Sequence, residues 1–264
     1  MTGVTTPSTM VLLLADGRFP AGAHAHSGGL EAAVKAGRVR DLATLEGFLR
    51  GRLATAGLVG AAFAAAAHRA VVPDPTGRPM SEPTGRPESE SAGRPVSDPD
   101  RRCGSGTDRR GTLARLDVEL DARTAAVALR SVSRRQGRAL LRAGRSIWPS
   151  APWGDLPTAG GGPHQPLVWG LVGAAAGATR AQTASVVAYQ TVTGAASAGV
   201  RLLGLDPYRV QVLLVDLAGA CDATAAEATR AADDPPERLP AAAAPLTDIH
   251  AELHATWEVR LFAS

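Results

Sequence analysis

Apolar residues along this chain recur with the 3.6-residue period of an α-helix. After Asp41, the residues Leu42, Leu45, Leu49 and Leu53 fall on one helical face, which predicts a long alanine-rich helix over 42–71. No stretch shows the sustained period-two alternation of a half-buried strand. The pattern therefore predicts an all-α fold.

A shorter helix is predicted just before it. In "GLEAAVKAG", Leu30, Ala33 and Val34 share one face, and Gly37 is a suitable C-terminal cap.

The stretch 113–147 is helical in pattern but changes its face midway. In its first half, one helical face carries the apolar residues Leu113, Leu116, Leu120 and Val127. If the helix continues, the same face in its second half carries Arg130, Arg134, Arg138 and Arg145. Either one helix changes partners here, or the helix breaks. Ser133 and Gly137, one turn apart, would let a neighbouring helix approach closely.

Further helices are predicted at about 166–176, 181–203 and 207–231, followed by a short helix and an apolar tail. Gly204 as a stop, Asp206 as an N-cap and Pro207 at the first helical position separate two of them.

The segment 73–112 has a different character. It contains three tandem copies of an eight-residue unit over 76–99, "TGRPMSEP", "TGRPESES" and "AGRPVSDP". Proline recurs, charges of both signs alternate and almost nothing can be buried, which predicts a disordered insertion. The chain is thus expected to form one helical-bundle domain, with a core of about 10–72 and 113–264.

The composition limits the partners and the cellular compartment that we expect for this chain. The formal net charge of this 264-residue chain is +3, which is too small to indicate nucleic-acid binding by itself. The two cysteines, Cys103 and Cys221, form no CxxC spacing, so a reducing compartment is expected. No signal peptide is apparent, and uninterrupted apolar stretches are shorter than a membrane span needs, so a cytoplasmic location is predicted.

Histidines offer the first candidate chemistry. His24 and His26 lie one residue apart, and His250 and His254 have the i, i+4 spacing of a helical metal pair. A metal-dependent enzyme built on these four is one hypothesis. The HExxH, GxxxxGK[ST] and GxSxG motifs are all absent, so ordinary hydrogen-bonded imidazoles and no catalytic residue are the simpler interpretation.

The arginine stripe has two interpretations: a surface for phosphates or an acidic partner, or a solvated helix face with its aliphatic stems packed down. The first would make the chain a nucleic-acid-binding protein. The C-terminal Leu261 and Phe262 are unusually apolar for a chain end and are expected to dock, either on their own domain or on a partner.

Several blocks together resemble the UreF family of urease accessory proteins. The opening block comprises Leu12, Leu13, Pro20, Gly22, Ser27, Gly29, Leu30, Glu31, Ala33, Val34 and Gly37. The second comprises Arg130, Ser133, Gly137, Leu140 and Leu141. The third is "HQPLVWG", which includes His164 and Pro166, and the fourth is "RLLGLDP" from Arg201. The last begins at His254 and keeps Arg260, Leu261, Phe262 and Ser264.

The resemblance implies an all-α adaptor without catalysis of its own. Such proteins bind UreD (UreH in some species), recruit the GTPase UreG, and couple GTP hydrolysis to nickel insertion into apo-urease, commonly as a homodimer within the complex. It implies no cofactor on this chain, since nickel and GTP belong to the partners, and neither a nucleic-acid nor a membrane partner.

Site residues follow from the same resemblance. The tail Arg260–Ser264 and its helix with His254 would order against UreD, and the surface around 20–31 would engage the assembly, including the GTPase. His24 and His26 stand where relatives carry aromatic residues, so that stretch is interpreted as a recognition surface and not as a metal site. The motif positions Arg130, Ser133, Gly137, His164, Pro166 and Arg201 carry no assigned role.

Overall fold

The chain folds into a bundle of α-helices in a computed structural model that describes residues 9–20, 26–72 and 104–262. No strand occurs within these ranges, which confirms the predicted all-α class. The helices are α1 Thr9–Ala15, α2 Leu30–Lys35, α3 Leu42–Arg52, α4 Leu58–Val71, α5 Gly104–Ala122, α6 Val127–Ile147, α7 Gln165–Ala175, α8 Arg180–Leu203, α9 Pro207–Asp216, α10 Ala218–Ala231 and α11 Pro245–Ala255.

The helix predicted over 42–71 is present as α3 and α4, joined without a break by a π-helical turn at Leu53–Gly57. It begins where the sequence indicated, because Asp41 and Thr44 form a reciprocal capping box. Leu45, Leu49 and Leu53 are buried along the expected stripe.

Helix α4 lies at the centre of the bundle and packs against α5, α7, α8 and α10. Its run of alanines keeps the helix surface flat, so that neighbours come close. At α7, a Cβ on Gly170 would lie only 2.6 Å from the carbonyl oxygen of Ala64. Phe63 fills the middle of this core and is fully buried.

Within the described residues, one helical run is long and apolar enough to cross a membrane. It is Leu42–Val71, with a mean hydropathy of 1.2 in its most apolar window, and 56% of that window is buried inside the protein. A core helix has the same properties, and the packing of α4 on four other helices gives this run that role.

The periodicity change at 113–147 is a break. Helix α5 ends at Ala122 and α6 begins at Val127. Leu113, Leu116 and Leu120 are buried as predicted, whereas Val127, expected on the same face, is 59% exposed beyond the break.

Other boundaries differ from those predicted. Most of the predicted insertion lies outside the described residues, but α5 begins at Gly104 and not near 113. The helix predicted over 207–231 is two helices that meet at Leu217. Helix α1 was not predicted, because the sequence showed there only a short apolar run.

Candidate partner-binding site

The C-terminal tail is docked on its own domain, where it meets the opening block. The carboxylate of Glu31, in α2, accepts the backbone N–H groups of Leu261 at 2.8 Å and Phe262 at 3.1 Å. It also bonds the Nε2 atom of His254, in α11, at 2.9 Å. One buried carboxylate thus fixes both α11 and the chain that follows it. We call Glu31, His254, Leu261 and Phe262 the tail clamp.

Local geometry in the opening block places Glu31. Gly29 precedes α2 in the left-handed conformation with φ 88°, which favours glycine. The hydroxyl of Ser27 accepts the backbone N–H of Glu31 at 3.2 Å and so satisfies a donor in the first helical turn. A Cβ on Gly29 would lie 3.3 Å from the methyl group of Thr247, so α11 passes close to this turn.

The negative charge of Glu31 strengthens the hydrogen bonds of the tail clamp. Burial alone would raise the pKa of Glu31, but the hydrogen bonds from Leu261, His254 and Phe262 outweigh it and hold that pKa below its ordinary value. The carboxylate is therefore ionised at neutral pH, and charged acceptors make the stronger hydrogen bonds.

Aromatic contacts complete the docking. The guanidinium of Arg201 lies 4.6 Å from the ring centroid of Phe262, which is buried. The Trp257 ring contacts His254 at 4.6 Å and carries the ammonium of Lys35 at 3.8 Å. Each of the two cation–π contacts contributes about 0.5–1 kcal/mol where it is exposed to water.

Side chains next to the clamp point outward. Val259 is 84% exposed and Leu261 is 75% exposed, and Arg260 between them is also exposed. Leu246, Ile249 and Leu253 form an exposed apolar face on α11, at i, i+3 and i+7. We call these six residues the tail surface.

The predicted partner-binding residues divide into two groups. Ser27, Leu30, Glu31, His254 and Phe262 are buried and support the surface from below. Pro20, Arg260 and Leu261 are exposed, and His26 is half-buried. Gly22, His24 and Ser264 lie outside the described residues.

Most motif positions of unassigned role come together in a second, buried cluster, whereas Arg201 lies over Phe262 at the tail. His164, which is fully buried, bonds Ser133 Oγ through Nδ1 at 2.9 Å and Asp121 through Nε2 at 2.8 Å. Arg134 donates to Asp117 at 3.0 Å and to Asp121 at 2.7 Å. This cluster ties α5, α6 and the start of α7 together.

Helix α6 approaches the chain before α7 because position 137 is glycine. A Cβ there would lie 2.1 Å from the carbonyl oxygen of Pro163. The sequence predicted a close approach at this point, although the neighbour is a loop and not a helix. Pro166 follows within the first turn of α7.

The arginine stripe is only partly a solvated face, because Arg138 and Arg145 are exposed and Arg134 is buried. Arg134 is buried in ion pairs, Arg130 donates to the carbonyl oxygens of Thr124 and Ala125, and Arg138 donates to that of Gly161. The interpretation as a solvated face did not include the carboxylates on α5 or the carbonyl groups of nearby loops. Three of the four guanidinium groups make hydrogen bonds within the protein.

Sequence reasoning also missed Asp117 and Asp121. Their i, i+4 spacing beside the buried leucines of α5 was the available signal, because polar residues flanking a core face often pair across it. Among the described residues, no group of three or more His, Cys, Asp or Glu side chains is arranged to hold a metal ion.

Comparison of the sequence with known proteins identifies a family. The family model for UreF matches residues 39–218, which is more than half of the chain. A urease accessory protein UreF from Mycobacterium sp. (strain JLS) is 40% identical over 259 residues, which cover 98% of this chain and 100% of the relative. The protein of the same name from Mycobacterium marinum (strain ATCC BAA-535 / M) is 40% identical over 260 residues, with coverage of 98% and 100%. That from Mycobacterium tuberculosis (strain ATCC 25618 / H37Rv) is 40% identical over 226 residues, with coverage of 85% and 86%.

Proposed function

The chain belongs to the UreF family of urease accessory proteins, and on that premise we propose that it is an adaptor that joins UreD (UreH) to the GTPase UreG. As a member of an accessory family it is not itself an enzyme. In the proposal it couples GTP hydrolysis by UreG to nickel insertion into apo-urease, in the cytoplasm and as a homodimer within the complex. Nickel and GTP are bound by the partners, and this chain takes no cofactor, nucleic acid or membrane.

The observation that carries the proposal is the docked tail. In the tail clamp, a buried carboxylate, a buried histidine and a buried phenylalanine hold the C-terminal tail in place. Chain ends usually fray. A tail held this firmly, with Val259, Arg260 and Leu261 exposed, is suited to present a fixed surface to a partner.

The tail surface has the composition of a binding site. Exposed aliphatic residues on α11 lie next to the exposed Val259 and Leu261, with Arg260 between them. Apolar residues grouped around an arginine are typical of protein–protein interfaces. We assign UreD to this surface, and the opening block around 20–31 to the GTPase side of the assembly.

Neither alternative function gains support. The metal-dependent enzyme requires His254, whose Nε2 is bonded to Glu31. The nucleic-acid-binding protein requires a free arginine stripe, and Arg130, Arg134 and Arg138 are engaged within the protein.

Co-expression pull-down with UreD and UreG tests the proposal. The full chain is compared with a chain that ends at Glu258, and we expect UreD capture by the first and loss by the second. Circular dichroism checks that the shortened chain is still helical. If the shortened chain captures UreD as well as the full chain does, the tail is not its anchor.

A point substitution sharpens the test. Glu31→Gln removes the charge that holds the Leu261 and Phe262 amides, and charged hydrogen bonds contribute about 1.5–3 kcal/mol. We expect UreD binding to weaken about ten- to hundredfold. The control is Glu46→Gln, which breaks only a surface ion pair with Arg50 and should leave UreD binding unchanged.

A further inference from the structure

A cavity of about 280 Å³ lies between α3, α6, α8 and the segment that leads into α11. Three charged side chains line it: Arg52, Arg123 and Asp248. A charge in such a partly enclosed space is costly unless it is paired or hydrogen-bonded. The partners of these three groups therefore indicate what the cavity can hold.

Two of the three are fully engaged. Arg123 pairs with the Glu119 carboxylate and donates to the carbonyl oxygens of Pro240 at 3.1 Å and Glu237 at 3.0 Å. Asp248 accepts the backbone N–H of Ala126, and burial raises the pKa of its carboxyl group. Neither group is left to recruit a ligand.

Arg52 is different. Its side chain is half-buried, and its Nη1 donates to the carbonyl oxygen of Gly28. Its Nε is enclosed without a hydrogen-bond partner, and no carboxylate lies within 4.0 Å of the guanidinium, among residues 9–20, 26–72 and 104–262. Burial lowers the pKa of Arg52 to about 10, so the group still carries its charge at neutral pH.

The opening block holds this guanidinium in place. Gly28 has φ 63°, and a Cβ at that position would lie 2.8 Å from the Arg52 Cζ atom. The glycine backbone thus covers the guanidinium directly. Most of the remaining wall is apolar, but it also includes the neutral amide side chains of Gln136 and Gln165, which can donate hydrogen bonds.

We propose that this cavity binds a small oxyanion, of the size of inorganic phosphate, on the guanidinium of Arg52. The planar guanidinium is suited to bidentate binding of such anions, and burial strengthens the attraction. This site is distinct from the tail clamp, and the proposal does not depend on the role in urease maturation.

The test uses the purified full chain and inorganic phosphate. Calorimetric titration and the thermal midpoint are measured in a phosphate-free buffer, with chloride keeping the ionic strength constant. Wild type should bind phosphate and gain thermal stability with its concentration. Arg52→Met should lose at least tenfold in affinity, whereas Arg50→Met, two residues away in a surface ion pair, should bind as wild type does.

A second measurement separates a ligand site from a structural arginine. Without phosphate, Arg52→Met should unfold near the wild-type temperature, because it loses the hydrogen bond to the Gly28 carbonyl oxygen but also removes a partly buried charge that has no carboxylate partner. No binding by wild type, or equal binding by Arg52→Met, overturns the proposal. If Arg52→Met does not fold, Arg52→Lys keeps the charge without the planar fork, and unchanged phosphate affinity in that variant would likewise overturn it.

Discussion

The imidazole of His164 is enclosed by α5, α6 and the residues that lead into α7, and each ring nitrogen has a partner. The Asp121 carboxylate can only accept, so Nε2 carries the proton and donates to it. Nδ1 then accepts from the Ser133 hydroxyl, while Ser133 Oγ also accepts the backbone N–H of Gln165 at 3.3 Å. This pattern needs a neutral histidine.

The stability of the fold should therefore fall in mild acid. Burial lowers the pKa of His164, and the hydrogen bond to Asp121 only partly opposes that effect. Because the folded-state pKa lies below the ordinary value of 6.5, the stabilisation is complete above pH 6.5 and is lost as pH falls through the folded-state pKa.

His164→Gln isolates this contribution. At about pH 7.5 we expect the free energy of unfolding in urea to fall by about 1–3 kcal/mol, because Asp121 and Ser133 lose a partner. Between about pH 7.5 and pH 5.5, wild type should lose about 1 kcal/mol more than the variant does. His250→Gln is the control, since that ring is only half-buried and should change the slope less. Equal slopes in wild type and His164→Gln would contradict the assignment.

At the scale of elements, α6 shows which features a sequence can and cannot predict. Its helical period and the close approach at Gly137 follow from residue types and spacing, whereas the break before it was only one of two alternatives. The burial of Arg134 does not follow, because it depends on Asp117 and Asp121 from another helix and on the carbonyl oxygen of Gly162. Periodicity assigns a residue to a face, but tertiary packing decides what covers that face.

Gly137→Ala tests how closely α6 must approach the chain before α7. The added Cβ would meet a backbone oxygen at 2.1 Å, so α6 or the loop must shift, and overpacking of this kind costs about 1–3 kcal/mol. Urea unfolding measures the change. Gly47→Ala is the control: Gly47 lies within α3 with nothing inside 4 Å, and alanine should there stabilise the helix by up to about 1 kcal/mol. The same sign for both substitutions would rule out a specific contact at Gly137.

At the scale of the whole molecule, helix α2 near the start of the chain meets the C-terminal tail at the tail clamp. The sequence predicted that the apolar tail would dock, but it left open whether the tail docks on its own domain or on a partner protein. That choice depends on Glu31, more than two hundred residues earlier, which forms two backbone hydrogen bonds to the tail. A glutamate in a glycine-rich block carries no sequence signal for such a long-range contact, so the contact between the two segments was not predicted.

The octapeptide repeats provide the last test, because they are expected to be dispensable for folding. Deletion of 76–99 removes no residue that the structure describes and leaves 72–75 and 100–103 between α4 and α5. Such a connection reaches about 25 Å when extended. Shortening the connection lowers the entropic free-energy cost of closing this loop by about 1 kcal/mol. The thermal midpoint should therefore stay within about 4 °C of wild type. Deletion of 84–99, which keeps one repeat, is the control for span: a large fall with the longer deletion alone would show that the connection had become too short. A large fall with both deletions would mean that the repeats support the fold, contrary to their composition.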